Sequence, residues 1–306
     1  EVPKPVCKDN EVLVRVHAAS VSAGDWHLLR GTPLMVRLYF GLTRPRHKIL
    51  GADVAGVVEA VGMNVTQFHP GDEVYGDLTN CGFGAYAQFA CASETALAHK
   101  PSNLSYEQAA AVPVSAVAAL QALRDKGQLR PGEKVLVNGA SGGVGTYAVQ
   151  LAKALEANVT GVGSTAKHGI LQSLGVDQII DYTRQDVTTN GHRYDLILDT
   201  AAYRSIADYR RILNPAGRYV MVGGSGARLL QAMVLGPWMS RKRGKQFGGF
   251  MVKPNQQDLL FLTKLIEEGK VRPVVDKCFP LSEVPEAIRY VEEGHARGKV
   301  VINVRA

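Results

Sequence analysis

The sequence predicts an α/β protein whose core is a doubly wound parallel sheet, accompanied by a second, strand-rich part. Three observations carry that expectation. Residues 134–224 alternate short apolar strands with helices, a glycine-rich turn at 138–145 opens the first of those helices, and residues 1–112 hold strands and turns. A chain of 306 residues, 46% apolar, also exceeds what one hydrophobic core organises, since single cores stop growing at roughly 250–300 residues. Two domains are therefore expected.

Taken in order, EVLVRVHAASV (11–21) is a β-rich run, and GADVAGVVEAVG (51–62) alternates small and β-branched residues between glycines. Pro70-Gly71 marks a turn, and GAYAQFACAS (84–93) reads as a further strand. From Ser105 the texture becomes helical, with Ser105 as N-cap and Pro113 as the break between two helices. KVLVNGA, NVTGVGS, QIIDY, YDLILDTAA and GRYVMVGG then read as strands, with helices over GGVGTYAVQLAKALE and AKHGILQSLG. QQDLLFLTKLIEEGK is an amphipathic helix, and the tail reads strand–helix–strand through VRPVVDKCFP, LSEVPEAIRYVEEG and GKVVINV.

Composition excludes some classes. No apolar run approaches the roughly 20 residues of a bilayer helix, so no transmembrane segment is expected. The N-terminal residues resemble neither a signal nor a transit peptide; they read as the middle of a strand-rich domain whose first hairpin is missing. The four cysteines (Cys7, Cys81, Cys91, Cys278) show no C-x-x-C spacing and read as reduced, partly buried thiols in a cytoplasmic protein. A net charge of +7 suits an anionic ligand, but it suits an ordinary basic protein equally well. No nucleic-acid partner is expected, because aromatic residues do not interleave with a basic stripe.

The strongest chemical signal is NGASGGVG, between strand KVLVN and helix TYAVQLAK. Read as Ala140-x-Gly142-x-x-Gly145, it is a dinucleotide fingerprint with alanine in first place, the mark of a Rossmann unit. Gly142 lets backbone approach a pyrophosphate, Gly145 lets the helix pack closely, and the helix N-terminus offers N–H donors. Ala140, Ser141, Gly142, Gly143, Val144 and Gly145 are the expected phosphate cradle. The same stretch also fits G-x-S-x-G, a hydrolase nucleophile elbow with Ser141, and a triad can be drawn through Asp199 and His295. Gly145 has no task in an elbow, however, and no oxyanion segment precedes it.

The cofactor expected is NADPH. An acid about 20 residues beyond the glycine turn binds the ribose of NADH, but Thr160–Thr165 holds none. Ser164 and Thr165 offer hydroxyls and Lys167 a positive charge to a 2′-phosphate, with Tyr182 as a second contact at the adenosine end. Lys167 reads alternatively as a solvated first-turn lysine. No Tyr-x-x-x-Lys pair or clustered zinc-ligand spacing is present. A site without a Lewis acid favours acceptors that delocalise charge, such as enones or quinones, over simple alcohols.

The ordered set VSAGDWHLLRG (21–31), GADVAGVVEAVG (51–62), PGDEVYG (70–76), GAYAQFA (84–90), AAAVPVSAVAAL (109–120), NGASGGVGTYAVQLAK (138–153), SLGVDQIIDY (173–182), LDTAA (198–202) and GKVVINV (298–304) spans nearly the whole chain. It resembles the medium-chain dehydrogenase/reductase superfamily, in its zinc-free, ζ-crystallin-like quinone-oxidoreductase branch. The resemblance implies a GroES-like catalytic domain over 1–116 and 252–306, a Rossmann domain inserted over 117–251, and a cofactor between the two. It also implies a homodimer. The zinc-ligand positions of the alcohol dehydrogenases match Ser22, Ala52 and the neighbourhood of Val112 here.

The branch's Asn-Pro-x-Asp stands as Ser22-Ala23-Gly24-Asp25, which makes Ser22 and Asp25 candidate catalytic residues. Asp25 reads alternatively as a turn or helix cap. Tyr39 is a third candidate, either a donor to substrate oxygen or a wall residue, and Lys299 is either a cofactor contact or a surface charge. Residues 234–250, with Trp238 among several basic residues, read as a solvated loop or as a membrane or anionic-partner contact. The function implied is NADPH-dependent reduction of quinones or α,β-unsaturated carbonyls. The alternatives are a zinc-independent alcohol or aldehyde oxidoreductase, the Ser141 hydrolase, and an NADPH-binding sensor without turnover.

Overall fold

The computed structural model describes residues 2–32, 34–43, 46–223, 246–249 and 251–304, without the side chains of residues 35 and 39. The chain divides into two compact units, Glu1–Val117 with Lys253–Gly269 and Pro273–Ala306, and Ala118–Val252 with Lys270–Arg272.

The first unit is built around β1 (Glu11–Val21). Its alternating valines bury Val12, Val14 and Val16, and it pairs antiparallel with β2 (Asp53–Val61), β4 (Phe89–Ser93) and the C-terminal β13 (Lys299–Asn303). β3 (Glu73–Asp77), β5 (Leu97–His99) and β12 (Val275–Pro280) complete the sheet in the order β12-β13-β1-β2-β3-β5, with β4 branching from β1. The strand expected at 84–93 forms only over its second half. Helices α1 (Ala23–Arg30) and α2 (Leu34–Phe40) follow β1 where no helix was anticipated. Short α3 (Tyr106–Ala110) is closed by the expected Ser105 cap, here a full capping box with Gln108. Pro113 opens α4 (Pro113–Gln121), because a missing N–H costs nothing in a first turn.

The cysteine expectation is corrected. Cys7 and Cys91 form a disulfide, while Cys81 and Cys278 remain free. The partners lie 84 residues apart, so spacing could not reveal them; the β1–β4 ladder sets Cys91 opposite Leu13, and the turn before β1, closed by the Glu11 N–H to the Lys8 carbonyl, carries Cys7 back to it. The argument for a cytoplasmic setting from four free thiols therefore does not hold.

The second unit holds the parallel sheet, with strand order β11-β10-β9-β6-β7-β8 among the described residues. These are β6 (Lys134–Asn138), β7 (Asn158–Gly163), β8 (Gln178–Asp181), β9 (Tyr194–Asp199), β10 (Leu213–Met221) and β11 (Gln246–Gly249). The order runs outward in both directions from β6 and β9, the doubly wound arrangement with its switch point between them. Helices α5 (Gly143–Ala154), α6 (His168–Ser173) and α7 (Ile206–Arg211) link successive strands, and Leu136, Ile180, Ile197 and Tyr219 join its core. Helices α8 (Gln256–Glu267) and α9 (Val284–Glu292) return the chain to the first unit. No described helix is long and apolar enough to cross a membrane.

Candidate active-site residues and cofactor cradle

In the first unit a buried polar cluster surrounds Asp53. The β1–β2 register sets Ser20 opposite Asp53, and the β1–β13 register sets Val301 beside Ser20, which brings Lys299 to the same place. Asp53 is wholly buried, and its Oδ2 accepts from Ser20 Oγ at 2.5 Å and from Lys299 Nζ at 3.0 Å. Its Oδ1 accepts from the Val114 N–H at 2.7 Å, in the first turn of α4. Lys299, only 2% exposed, also donates to Ser22 Oγ at 2.9 Å. The surface-charge alternative for Lys299 is thus corrected: an ammonium this deep is tolerated because a carboxylate faces it. Ser22 Oγ lies 3.4 Å from Asp53 Oδ2, at the outer limit of a hydrogen bond. Sequence reasoning missed Asp53, although an acid inside a run as apolar as GADVAGVV is itself a signal.

Ser22 precedes α1 and is half-buried. Asp25 is buried and accepts from the Ser22 N–H at 2.8 Å, closing a capping box. It therefore fixes the backbone that carries the Ser22 hydroxyl. Burial pushes Asp25 up to about 6; the Ser22 N–H opposes this, the Asp53 charge adds to it, and Lys299 and Tyr86 pull it back down. Asp77, at the end of β3, is likewise raised to about 6, first by burial and then by Asp53. Burial also drives the Tyr86 hydroxyl well above its usual range.

A carboxyl raised in the folded state binds its proton more tightly there than when unfolded. Asp25 therefore adds stability at low pH that disappears as pH rises through about 6. Asp25→Asn keeps an acceptor for Ser22 N–H without a titrating charge. Relative to the parent chain, it is expected to gain about 2 kcal/mol more at pH 7 than at pH 4.5. Denaturation midpoints of both proteins at the two pH values check this, and an identical difference at both would refute it.

In the second unit, the glycine turn lies between β6 and α5. Gly139 adopts φ +78°, and a Cβ there would stand 2.5 Å from Thr200 Oγ1. A Cβ on Gly145 would fall 2.1 Å from the Gly139 carbonyl oxygen, so only glycine lets α5 sit this close to the turn. Gly142 differs, since a Cβ there meets nothing nearer than Gly139 O at 3.5 Å. The protein leaves room beside Gly142, and helix geometry leaves the amides of Gly143, Val144 and Gly145 without intrahelical acceptors. Such a cradle suits a pyrophosphate. Ala140 and Ser141 are buried beneath it, at 0% and 4% exposure.

The other candidate cofactor residues gather at neighbouring strand ends. Ser164, Thr165 and Lys167 follow β7, and Tyr182, 57% exposed, follows β8, its N–H bonded to the Gly163 carbonyl. The structure adds Asp181, which the search for an acid near position 162 passed over. Thr165 donates its hydroxyl to Asp181, Thr183 donates at 2.6 Å, and these bonds hold the Asp181 carboxyl down at about 2. The Thr165 hydroxyl therefore has its hydrogen committed to Asp181 and keeps only acceptor capacity. His168 Nε2 and Arg184 Nε lie 3.6 and 3.8 Å from the same carboxylate.

The other two residues of the possible Ser141 triad have partners of their own, each within its unit. The Asp199 carboxylate accepts from Asn138, Tyr219 and the Ala201 and Ala202 N–H groups, and the His295 ring pairs with Glu293 at 3.2 Å. Tyr39 lies in α2 with its side chain outside the described residues, and so does all of 234–245.

Comparison with known proteins agrees with this architecture. The family model described as "Alcohol dehydrogenase GroES-like domain" matches residues 8–102, and the one described as "Zinc-binding dehydrogenase" matches 174–302. The chain is 35% identical to the mitochondrial NAD(P)H oxidoreductase RTN4IP1 of Bos taurus, over 96% of this chain and 82% of that protein. It is 33% identical to the 2-methylene-furan-3-one reductase of Solanum lycopersicum, over 99% of this chain and 74% of the relative. Among solved structures, the quinone oxidoreductase from Coxiella burnetii matches with a TM-score of 0.88 at 30% identity, covering 99% and 93% of the two chains.

Proposed function

Because this chain belongs to the medium-chain dehydrogenase/reductase superfamily, in its quinone-oxidoreductase-like branch, and is an oxidoreductase using a nicotinamide cofactor, we propose that it reduces quinones or α,β-unsaturated carbonyls with NADPH and without zinc. One observation carries the zinc-free part. At the positions that match two zinc ligands of alcohol dehydrogenases stand a hydroxyl and a methyl group, on Ser22 and Ala52, and the third falls near Val112, in the apolar run AAAVPV. Alanine and valine offer no lone pair to a metal. Reduction at a conjugated carbon tolerates that loss, since the charge spreads to an oxygen that hydrogen bonds can hold.

When bound, the nicotinamide supplies the hydride. The residues of this chain hold and orient. The amides of Gly143, Val144 and Gly145 take the pyrophosphate, and Lys167 and Ser164 the 2′-phosphate. The Ser22 hydroxyl, on a backbone fixed by the Asp25 carboxylate, donates to the oxygen on which charge develops. The final proton comes from water. We extend the reading to a homodimer formed along β11, one of the two edge strands of the parallel sheet among the described residues.

Oxidation of NADPH with 1,4-naphthoquinone, simple enones, ketones and alcohols as separate acceptors or donors tests the reading. Turnover with quinone or enone is expected. Activity confined to simple alcohols with NADP⁺, or one bound zinc per chain by elemental analysis, would overturn it. Lys167→Glu is expected to raise KM for NADPH by about 10–100-fold, the loss of one charge-assisted contact, and to leave KM for NADH within twofold. An equal change for both cofactors would count against the 2′-phosphate role.

A further inference from the structure

The Asp53 cluster contains more than an ion pair. Asp53 Oδ2 already accepts two short bonds, from Ser20 Oγ at 2.5 Å and Lys299 Nζ at 3.0 Å, and Oδ1 is taken by the Val114 N–H at 2.7 Å. Ser22 Oγ is 3.4 Å away, so a bond from its hydroxyl to Asp53 is long and weak. In the other direction, Lys299 Nζ donates to Ser22 Oγ at 2.9 Å. A lone pair of that oxygen is therefore held by a cation, and the hydroxyl hydrogen has only a poor internal acceptor. Ser22 is half-buried while Lys299 and Asp53 are closed off from solvent, so the serine is the one member of the trio that a substrate can reach.

We propose that Lys299 is a positioning residue that acts on the reaction through Ser22: its N–H holds the Ser22 oxygen, so that the hydroxyl hydrogen is presented to the developing oxyanion of the acceptor. This rests on the proposed reduction of quinones or enones. Asp53 keeps Lys299 in place and, already accepting from Ser20, Val114 and Lys299, offers the Ser22 hydrogen only the long 3.4 Å contact, which a developing oxyanion outcompetes. Donation from an ammonium polarises the hydroxyl and makes it a stronger donor than an isolated serine. Charge therefore reaches the substrate oxygen without the lysine touching it. No bond to Ser22 or Lys299 forms or breaks, and the product takes its proton from water.

Two readouts test the pair together. In steady-state kinetics with NADPH and 1,4-naphthoquinone or 3-penten-2-one, Ser22→Ala and Lys299→Met are each expected to lower kcat by about 10²–10³-fold, the loss of one oxyanion donor. KM for NADPH should stay within twofold. The double variant should be no slower than the slower single one, because both remove the same interaction. Should Lys299→Met not fold, Asp53→Asn/Lys299→Met, which removes both charges, takes its place.

The second readout needs no turnover. 4-Nitrophenol, titrated against the protein with and without NADP⁺, should bind as its coloured anion to the parent chain, and both substitutions should abolish that ionisation. A rise in KM for NADPH with kcat unchanged would make Lys299 a cofactor contact and overturn the inference. Additive losses, or nitrophenolate binding that neither substitution alters, would overturn it too. Absence of turnover with nitrophenolate bound and lost on substitution would instead sink the proposed function and leave the oxyanion site standing. Turnover without any nitrophenolate binding by the parent chain would do the reverse.

Discussion

Asp53→Ala is expected to destabilise the first unit by about 3–5 kcal/mol, the typical loss when one partner of a buried ion pair is removed. The reason is the number of groups that converge on that carboxylate. Removing it leaves the Lys299 ammonium buried without a counter-charge, and it strips the Ser20 hydroxyl and the Val114 N–H of their acceptor. Removing both charges at once, as in Asp53→Leu/Lys299→Met, should cost less than Asp53→Ala alone, because no uncompensated ion remains. Hydrogen exchange at the β1 and β13 amides reports on this unit directly. Unchanged protection in Asp53→Ala would refute the prediction.

The second large effect separates two glycines of the same turn. Gly145→Ala places a methyl group 2.1 Å from the Gly139 oxygen and 2.8 Å from two backbone atoms of Ala140, none of which can yield without moving the turn. Overpacking of this kind costs about 1–3 kcal/mol or more, and the displaced cradle should lose NADPH affinity as well. Gly142→Ala meets no such clash, and Gly142 has an ordinary φ of −84°. Its stability should stay within about 0.5 kcal/mol, while NADPH affinity falls on the order of tenfold, about 1.4 kcal/mol, because the new methyl group stands where the pyrophosphate approaches. Thermal midpoints and NADPH titrations of both variants check the contrast. A loss of stability in Gly142→Ala equal to that of Gly145→Ala would show that the space beside Gly142 is not kept for a ligand.

What was legible in the residues followed from local rules. The strand–turn–helix around NGASGGVG needs no distant partner to be read, nor does the Ser105 cap or the break at Pro113, and each stands where periodicity and turn chemistry put it. α1 escaped notice because its eight residues, AGDWHLLR, carry little apolar periodicity and are stabilised at the N-terminus by the Asp25 capping box. Cys7 and Cys91, Asp181 and Thr165, and Asp53 and Lys299 lie 84, 16 and 246 residues apart and meet only because strands next to them or holding them pair, which no spacing rule encodes.

The doubly wound sheet, the glycine-rich turn between β6 and α5 and the family were all readable from the residues, because each depends on residue types in a fixed order along the chain. The burial of Lys299 against Asp53 came from the fold alone. As a letter in GKVVI it reads as well on a surface as beside a cofactor, and 246 residues separate it from Asp53. β1, paired on one side with β2 and on the other with β13, removes both charges from water together. A lysine in that position has no low-energy alternative to the carboxylate and the Ser22 hydroxyl.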